Sequence, residues 1–376
     1  MSTKEKYLVF SPYRSGLGNV IMSYECALAL SYITNRKLLL APTLHITHIC
    51  VNAKETGHTF WDLFDESITR QEFDIEDYHS HELFQGKFEQ MQTYYSWFEN
   101  LPSIVEDCYS WKPGLGEGVY HMTGSNICFV NDPTQYQDED FRSFVCNRKV
   151  IDVNCSQQYF LFENNLFQHF WYLIYPGRSI ERNKLKDKIN RVVRYKQKFY
   201  DMFMSSIMNH IGAYNAVHVR RNDFFIQFGY SLQSVDQGDK LLTQLLRVFD
   251  PKKPLYIATD ETDLSFFSPV REVFKDLYFI DDIGIQLSKL ERAILDQIIC
   301  SKADDFYGTR NSTFSKRINV MRGVEGRVVH DNTGINFLDD GDRELEEGAF
   351  PWNGIYNKEW AWNRSSYLQW TQENVS

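Results

Sequence analysis

At 376 residues the chain exceeds the size at which one hydrophobic core stops growing, so two domains are expected. Hydrophobic residues make up 43% and aromatics 15%, which excludes a chain too polar to fold. A formal net charge of −10 excludes a general nucleic-acid binder, which needs a basic face.

Tyr7–Phe10 is a short apolar run that predicts a strand, and Arg14–Asn19 brings two glycines, Gly16 and Gly18, that predict a turn. From Val20 to Asn35 the residues Ile21, Tyr24, Leu28 and Tyr32 are spaced for one face of a helix. Lys37–Leu40 reads as a second buried strand, stopped by Pro42. Strand, turn, helix and strand make a βαβ unit, whose crossover is right-handed almost without exception. Residues 43–190 are less regular, with helices expected over Trp61–Phe64 and Val150–Leu166. Loop signals stand at Pro102, Pro113 and Pro176.

Beyond Tyr195 the alternation is regular. Helices over Tyr195–His210, Asp239–Phe249, Leu264–Phe274, Leu287–Cys300 and Thr313–Met321 are each followed by a strand. Those strands are Ala216–Arg220, Leu255–Ala258, Leu277–Ile280, Asp304–Gly308 and Arg327–His330. Short apolar strands separated by helices predict a parallel sheet covered on both faces. The final stretch carries Trp352, Trp360, Trp362 and Trp370 and is expected to cross back over the first domain.

The chemistry concentrates at strand ends. Asn215–Val219 runs straight into Arg220 and Arg221, and open α/β sheets bind ligands at the carboxyl ends of their strands. A guanidinium presents a planar fork that grips phosphate oxygens and never loses its charge. Side chains alternate along a strand, so Arg220 shares a face with His218 while Arg221 points the other way. Arg220 is therefore expected to reach a phosphate, Arg221 to support it, and Asp223 to hold one guanidinium in place. Asp260, after the next strand, can accept from a purine edge or ribose, or can cap the following helix. Ser312, Thr313, Phe314 and Ser315 open a helix whose N–H groups suit a diphosphate, although Ser312 or Thr313 could equally be an ordinary cap. The turn Gly16-Leu17-Gly18-Asn19 would let backbone approach a ligand, and a tight βα turn would use the same residues. Together these predict a nucleotide diphosphate lying across the C-terminal sheet.

His45, His48 and Cys50 lack a fourth ligand at zinc spacing, and no acidic pair stands at a convincing strand end. No metal site is expected, the arginines supplying the positive charge. Seven scattered cysteines without a CxxC pair fit free thiols, and the opening residues contain no apolar stretch of signal-peptide length. No window approaches the roughly 20 apolar residues of a membrane span. A cytoplasmic chain is the resulting expectation.

Three separated motifs resemble the GDP-fucose-dependent fucosyltransferases, the group that unites protein O-fucosyltransferases with α1,2- and α1,6-fucosyltransferases. They are Gly16–Asn19 with Asn35–Pro42, His218-Val-Arg220-Arg221-x-Asp223, and Thr259-Asp260 with Ser312–Ser315 running on to Arg322-Gly323. Trp61–Asp65 is the one further match, and the whole resemblance spans residues 5 to 330. It implies an α/β fold of the GT-B class, two Rossmann-like domains facing each other across a cleft. Its domains would be 1–195 on the acceptor side, 196–345 binding the nucleotide sugar, and a segment 346–376 packing back on the first. The resemblance implies no cofactor or metal, with GDP-fucose as the donor substrate and inversion at the anomeric carbon. Arg220 would bind the β-phosphate, His218 and Asp260 the guanosine, and Ser312, Thr313 and Phe314 phosphate and base. Asn19, with Gly16 to Gly18, would face fucose and acceptor. Asp62, Asp65, Glu66 and Glu25 are candidate general bases. The acceptor reads as a glycan hydroxyl, with a Ser/Thr-containing protein as the alternative. Another nucleotide sugar, or a catalytically silent binding protein, stays open.

Overall fold

The computed structural model describes residues 5–11, 16–33, 35–41, 44, 46, 49, 57–78, 80–81, 109–111, 127–128, 149–150, 159–163, 179–208, 211–221, 238–309 and 312–327. The chain divides into two compact units, Met1–Lys196 and Gln197–Ser376.

The first unit opens with the βαβ element. Strand β1 (Tyr7–Ser11) leads to helix α1 (Leu17–Ile33), which leads to strand β2 (Lys37–Leu40), paired parallel with β1. Helix α1 begins at Leu17, so Gly18 and Asn19 sit in its first turn and not in the loop before it. Val20, Ile21, Met22, Tyr24, Ala27, Leu28 and Ala29 are all buried, which makes α1 a core helix enclosed on most sides. Tyr32, expected on the buried face, is 44% exposed at the helix end, with the Lys188 ammonium over its ring. The helix stops where Asn35 takes a left-handed conformation (φ 50°) and the Arg36 N–H returns to the Ser31 carbonyl.

Next come helix α2 (Phe60–Leu63), helix α3 (Glu66–Glu72) and strand β3 (Ile75–Asp77). Phe60 and Phe64 both stack on the Tyr24 ring, with centroids 4.2 and 5.7 Å away, and Phe64 also stacks on Tyr195 at 5.9 Å. Such aromatic contacts add about 0.5–1.5 kcal/mol each beyond simple burial.

Strand β4 (Tyr109–Trp111) and strand β7 (Tyr159–Glu163) complete a parallel sheet of order β3-β2-β1-β7-β4. Between them, β5 (Ile127–Cys128) and β6 (Lys149–Val150) form a separate parallel pair. The helix expected over Val150–Leu166 is thereby corrected: Tyr159–Glu163 pairs with β1 along its whole length. A five-residue apolar run cannot be assigned by periodicity alone, and its aromatic content favours a strand. Helix α4 (Ser179–Val192) closes the unit.

The second unit alternates as expected. Helix α5 (Gln197–Met202) continues as a π-helical turn, Phe203–Met208, into strand β8 (Asn215–Val219). Helix α6 (Gly238–Leu245), strand β9 (Leu255–Thr259), a 3₁₀ turn (Leu264–Phe267) and helix α7 (Ser268–Val273) follow. Strand β10 (Leu277–Tyr278), helix α8 (Lys289–Lys302), strand β11 (Phe306–Gly308) and helix α9 (Thr313–Val324) complete it. The sheet order is β10-β9-β8-β11, parallel throughout. Of the fifth strand expected at Arg327–His330, Arg327 is not in a strand and the rest lies outside the described residues.

Alternation divides the side chains of this sheet. Val217, Val219, Leu255 and Ile257 join Leu241, Leu245, Phe267 and Val270 in one apolar layer. The other face carries polar side chains that are bonded in place. The Tyr214 hydroxyl donates to the Ile299 carbonyl at 2.7 Å, and the Tyr256 hydroxyl donates to Asp296 at 2.5 Å. Burial raises the Asp296 carboxyl to about 7, outweighing the hydrogen bond from Tyr256 that favours its charge.

Arg322 on α9 is fully buried beneath this face. Its guanidinium donates to the carbonyls of Ser301 (3.2 Å), Ala303 (2.6 Å) and Asp304 (2.9 Å) where α8 ends. One cation thus satisfies a helix C-terminus, where orphan carbonyls and the negative dipole end meet. Arg322→Leu strands those acceptors and should lower unfolding free energy by about 3 kcal/mol. A urea midpoint equal to the parent's would show that this clamp contributes nothing.

Candidate functional site

Parallel pairing aligns the ends of three strands. His218 of β8 stands opposite Ala258 of β9 and Gly308 of β11, so the residues that follow emerge side by side. Three clusters far apart in the chain, Arg220/Arg221, Thr259/Asp260 and Ser312–Ser315, meet at this edge.

The two arginines are fixed differently. The Arg220 backbone N–H donates to the Thr309 hydroxyl at 2.8 Å, and its guanidinium lies 3.3 Å from an Asp260 oxygen. The other Asp260 oxygen accepts the Arg221 backbone N–H at 2.8 Å. Asp260 thus bridges the main chain of one arginine and the side chain of the other. Arg221 turns to the opposite layer, as alternation along a strand requires. Its guanidinium lies over the Phe266 ring, 3.5 Å from the centroid, and 3.3 Å from Glu261. Cation–π stacking and an ion pair together hold it. Asp223, expected to hold a guanidinium, lies outside the described residues.

His218 is buried beneath Arg220. Its Nδ1 is 2.7 Å from the Ser315 hydroxyl, and its ring stacks on Phe314 with centroids 4.6 Å apart. Burial first, then the nearby Arg220 charge, lowers its pKa to about 3, so the ring is neutral at physiological pH. Ser312 is the N-cap of α9, its side chain accepting from the Ser315 N–H. Thr313 follows in the first turn.

Ser315 can reach His218 because position 308 has no side chain. A β-carbon on Gly308 would lie 2.5 Å from the Ser315 β-carbon. Two threonines brace the strand end: Thr259 donates to the Val219 carbonyl and Thr309 to the His218 carbonyl, each at 2.8 Å. The sequence reading placed Gly308 and Thr309 only within the Gly308–Ser315 stretch suited to a diphosphate and assigned no role to Phe266. The available signal was local, a glycine and a β-branched hydroxyl residue directly at a strand terminus.

In the first unit Gly16 immediately precedes α1, and Leu17, Gly18 and Asn19 form its first turn. The Val20 N–H already donates to the Gly16 carbonyl at 3.1 Å. Gly16 has no positive φ, and a β-carbon there would meet nothing within 4 Å among the described residues. Neither backbone strain nor packing therefore demands a glycine at this position.

Asp62, Asp65 and Glu66 serve helix caps and an ion pair. Asp62 accepts from the Thr59 N–H in a capping box, and Asp65 caps α3 through Ser67 and Ile68. Glu66 pairs with Arg70. Glu25 is buried within α1. Arg322, matched to a nucleotide motif in sequence, serves the α8 terminus instead and lies about 15 Å along α9 from its cap. His45, His48 and Cys50 lie outside the described residues, among which no group of three His, Cys, Asp or Glu side chains is placed to hold a metal. Among the same residues no helix is long and apolar enough to cross a membrane.

Residues 7–325 match the family model described as GDP-fucose protein O-fucosyltransferase. GDP-fucose protein O-fucosyltransferase 2 of Drosophila melanogaster is 30% identical over 121 residues, 31% of this chain and 24% of that protein. The Caenorhabditis elegans protein of the same name is 31% identical over 147 residues, 39% of this chain and 34% of that protein. The chain spans only about a quarter to a third of the length of these relatives. The solved fucosyltransferase NodZ from Bradyrhizobium is 13% identical, with 85% of this chain and 94% of that chain covered at a TM-score of 0.46. The expectation of a cytoplasmic chain is overturned by the first two relatives, which act in the endoplasmic reticulum lumen. Cysteine parity and the character of the opening residues do not identify a compartment.

Two outcomes follow from the packing. Gly308→Ala should cost about 1–3 kcal/mol, because the new methyl collides with Ser315 and must displace α9 or its cap. An unchanged denaturation midpoint would refute the close approach. For His218, the native ring stays neutral down to about pH 3 while the unfolded ring protonates near 6.5, so the unfolded state binds more protons between them. The contribution is complete above pH 6.5 and is lost as pH falls. The stability lead of the parent over His218→Asn should shrink by about 2 kcal/mol from pH 7 to pH 5; a pH-independent difference would contradict a neutral His218.

Proposed function

The chain belongs to the GDP-fucose protein O-fucosyltransferase family, and from that premise we propose that it transfers fucose from GDP-fucose to a hydroxyl of a protein acceptor. The carrying observation is the Arg220 guanidinium at the carboxyl end of β8, oriented by Asp260 and based on a braced strand. The family and the relatives' names favour a Ser or Thr hydroxyl over the glycan hydroxyl expected from sequence.

In this reading the acceptor oxygen attacks the anomeric carbon from the face opposite GDP, and configuration inverts. The bond from that carbon to the β-phosphate oxygen breaks, its electron pair leaves with GDP, and the acceptor proton passes to a base or to water. Negative charge grows on the β-phosphate, where Arg220 meets it. A cation already held in position stabilises that charge without reorganising at the moment of reaction. No metal ion is invoked, since the fixed guanidinium supplies the positive charge.

The remaining site residues take supporting parts. Neutral His218, pinned by Ser315 and stacked on Phe314, offers hydrogen bonds and a flat surface to the nucleotide without adding charge. Ser312 and Thr313 place the amino end of α9 toward phosphate. Asp260 and Glu261 orient the two arginines, with Arg221 as a strut. Gly16, Leu17, Gly18 and Asn19 serve the fucose and acceptor side, the bare Gly16 allowing a sugar to approach. Each of the two units, Met1–Lys196 and Gln197–Ser376, carries its own parallel α/β sheet.

Arg220→Ala should leave a folded protein whose fucose transfer to a Ser/Thr peptide falls about 100- to 1000-fold, equivalent to roughly 3–4 kcal/mol. Arg220→Lys should recover little, because an ammonium lacks the fork. Near-parental turnover in Arg220→Ala, followed by mass spectrometry of fucosylated peptide, would defeat the assignment. GDP at 100 times its Kd should raise stability by about 2.7 kcal/mol, while UDP does not; an equal response to UDP would reject a guanosine-specific donor.

A further inference from the structure

We propose that Thr309 is a positioning residue for the reaction, setting the main chain from which the phosphate-binding guanidinium projects; this rests on Arg220 being the β-phosphate contact. Thr309 lies just beyond the last residue of β11 and has no exposed surface. Its hydroxyl makes two bonds at once. It donates to the His218 carbonyl at 2.8 Å and accepts the Arg220 N–H at 2.8 Å. Its own N–H reaches the same His218 carbonyl at 3.0 Å.

The arrangement has a specific physical consequence. The β11 strand ends at Gly308, so no further strand residue continues the ladder alongside Arg220. One side-chain oxygen takes the ladder's place and ties together the residues before and after Val219. The flanking strand does the same from the other side, where Thr259 holds the Val219 carbonyl and Asp260 the Arg221 N–H. The β8 terminus is thereby gripped at four consecutive positions, His218, Val219, Arg220 and Arg221, by side chains from both neighbours. Asp260 lies beside the guanidinium, while Thr309 takes the Arg220 N–H through its hydroxyl. Its loss should shift the origin of the side chain while the charge, Asp260 and the rest of the site stay in place. A displacement of a few tenths of an ångström in a fork that must meet phosphate oxygens is felt in binding, because charge-assisted bonds depend on geometry.

A binding cycle with GDP tests this independently of any acceptor. Thr309→Val keeps shape and removes the hydroxyl, Thr309→Ser keeps the hydroxyl and loses a methyl, and each is made with Arg220 and with Arg220→Ala. Calorimetry extended to millimolar GDP keeps a hundredfold weakened site measurable. The valine variant should bind GDP five- to tenfold more weakly with Arg220 present, and less than twofold more weakly when Arg220 is alanine. The serine variant should stay within about twofold of the parent. Parental affinity in Thr309→Val, or the same loss in both backgrounds, would overturn the proposal. If Thr309→Val does not fold, Thr309→Ala is measured against the same expectations. A parental affinity in Arg220→Ala alone would instead strike the functional reading beneath it.

Discussion

The parallel ladder between β8 and its two neighbours is the constraint on which the site depends. Parallel strands all end at the same edge, so residues 220, 260 and 312, far apart in the chain, come out together. Hydrogen bonds between strands fix their register but stop where the strands stop. Beyond that point Thr259, Asp260 and Thr309 take over with side-chain oxygens. The arginine therefore projects from a backbone whose donors and acceptors are satisfied, on a base that folding has already ordered. Preorganisation of this kind separates a charge that stabilises a leaving group from one that merely sits near it.

Two arginines of this unit show how environment assigns chemistry to one residue type. Arg322 has no exposed surface and donates to backbone carbonyls where α8 ends, the shortest contact being 2.6 Å to Ala303, and burial together with the Arg327 charge lowers its pKa. Arg220 keeps 18% of its side chain exposed at the sheet edge, 3.3 Å from an Asp260 oxygen. Arg322 supports a helix terminus. Arg220 stands at a strand end with part of its side chain at the surface. The layer between them holds His218 and Asp296 in uncharged or easily discharged forms, since burial penalises charge on either.

The first unit uses its polar residues in another way. Its acidic side chains at Asp62, Asp65 and Glu66 are committed to caps and an ion pair around two short helices. Short helices of four and seven residues contribute little stability alone, so caps and the Tyr24 aromatic stack decide whether they form. That commitment holds these three carboxylates in structural contacts.

Much of the fold was legible in the residues. The βαβ opening and the helix–strand alternation after Tyr195 follow from period and apolar content, which are local and survive in one dimension. The residue order also marked His218, Arg220, Asp260 and the Ser312–Ser315 cluster, because each stands at the end of an apolar run. Three things were decided only in three dimensions. The Tyr159–Glu163 run became a strand between β1 and β4, since pairing with neighbours outweighs a short segment's own preference. Asp260 and Glu261, about 40 residues away in sequence, came to lie beside the two arginines, because register determines which carboxylate lies within reach. Thr309 and Gly308 acquired their parts from contacts with β8 and α9, and contacts between distant segments leave no periodic trace along a chain.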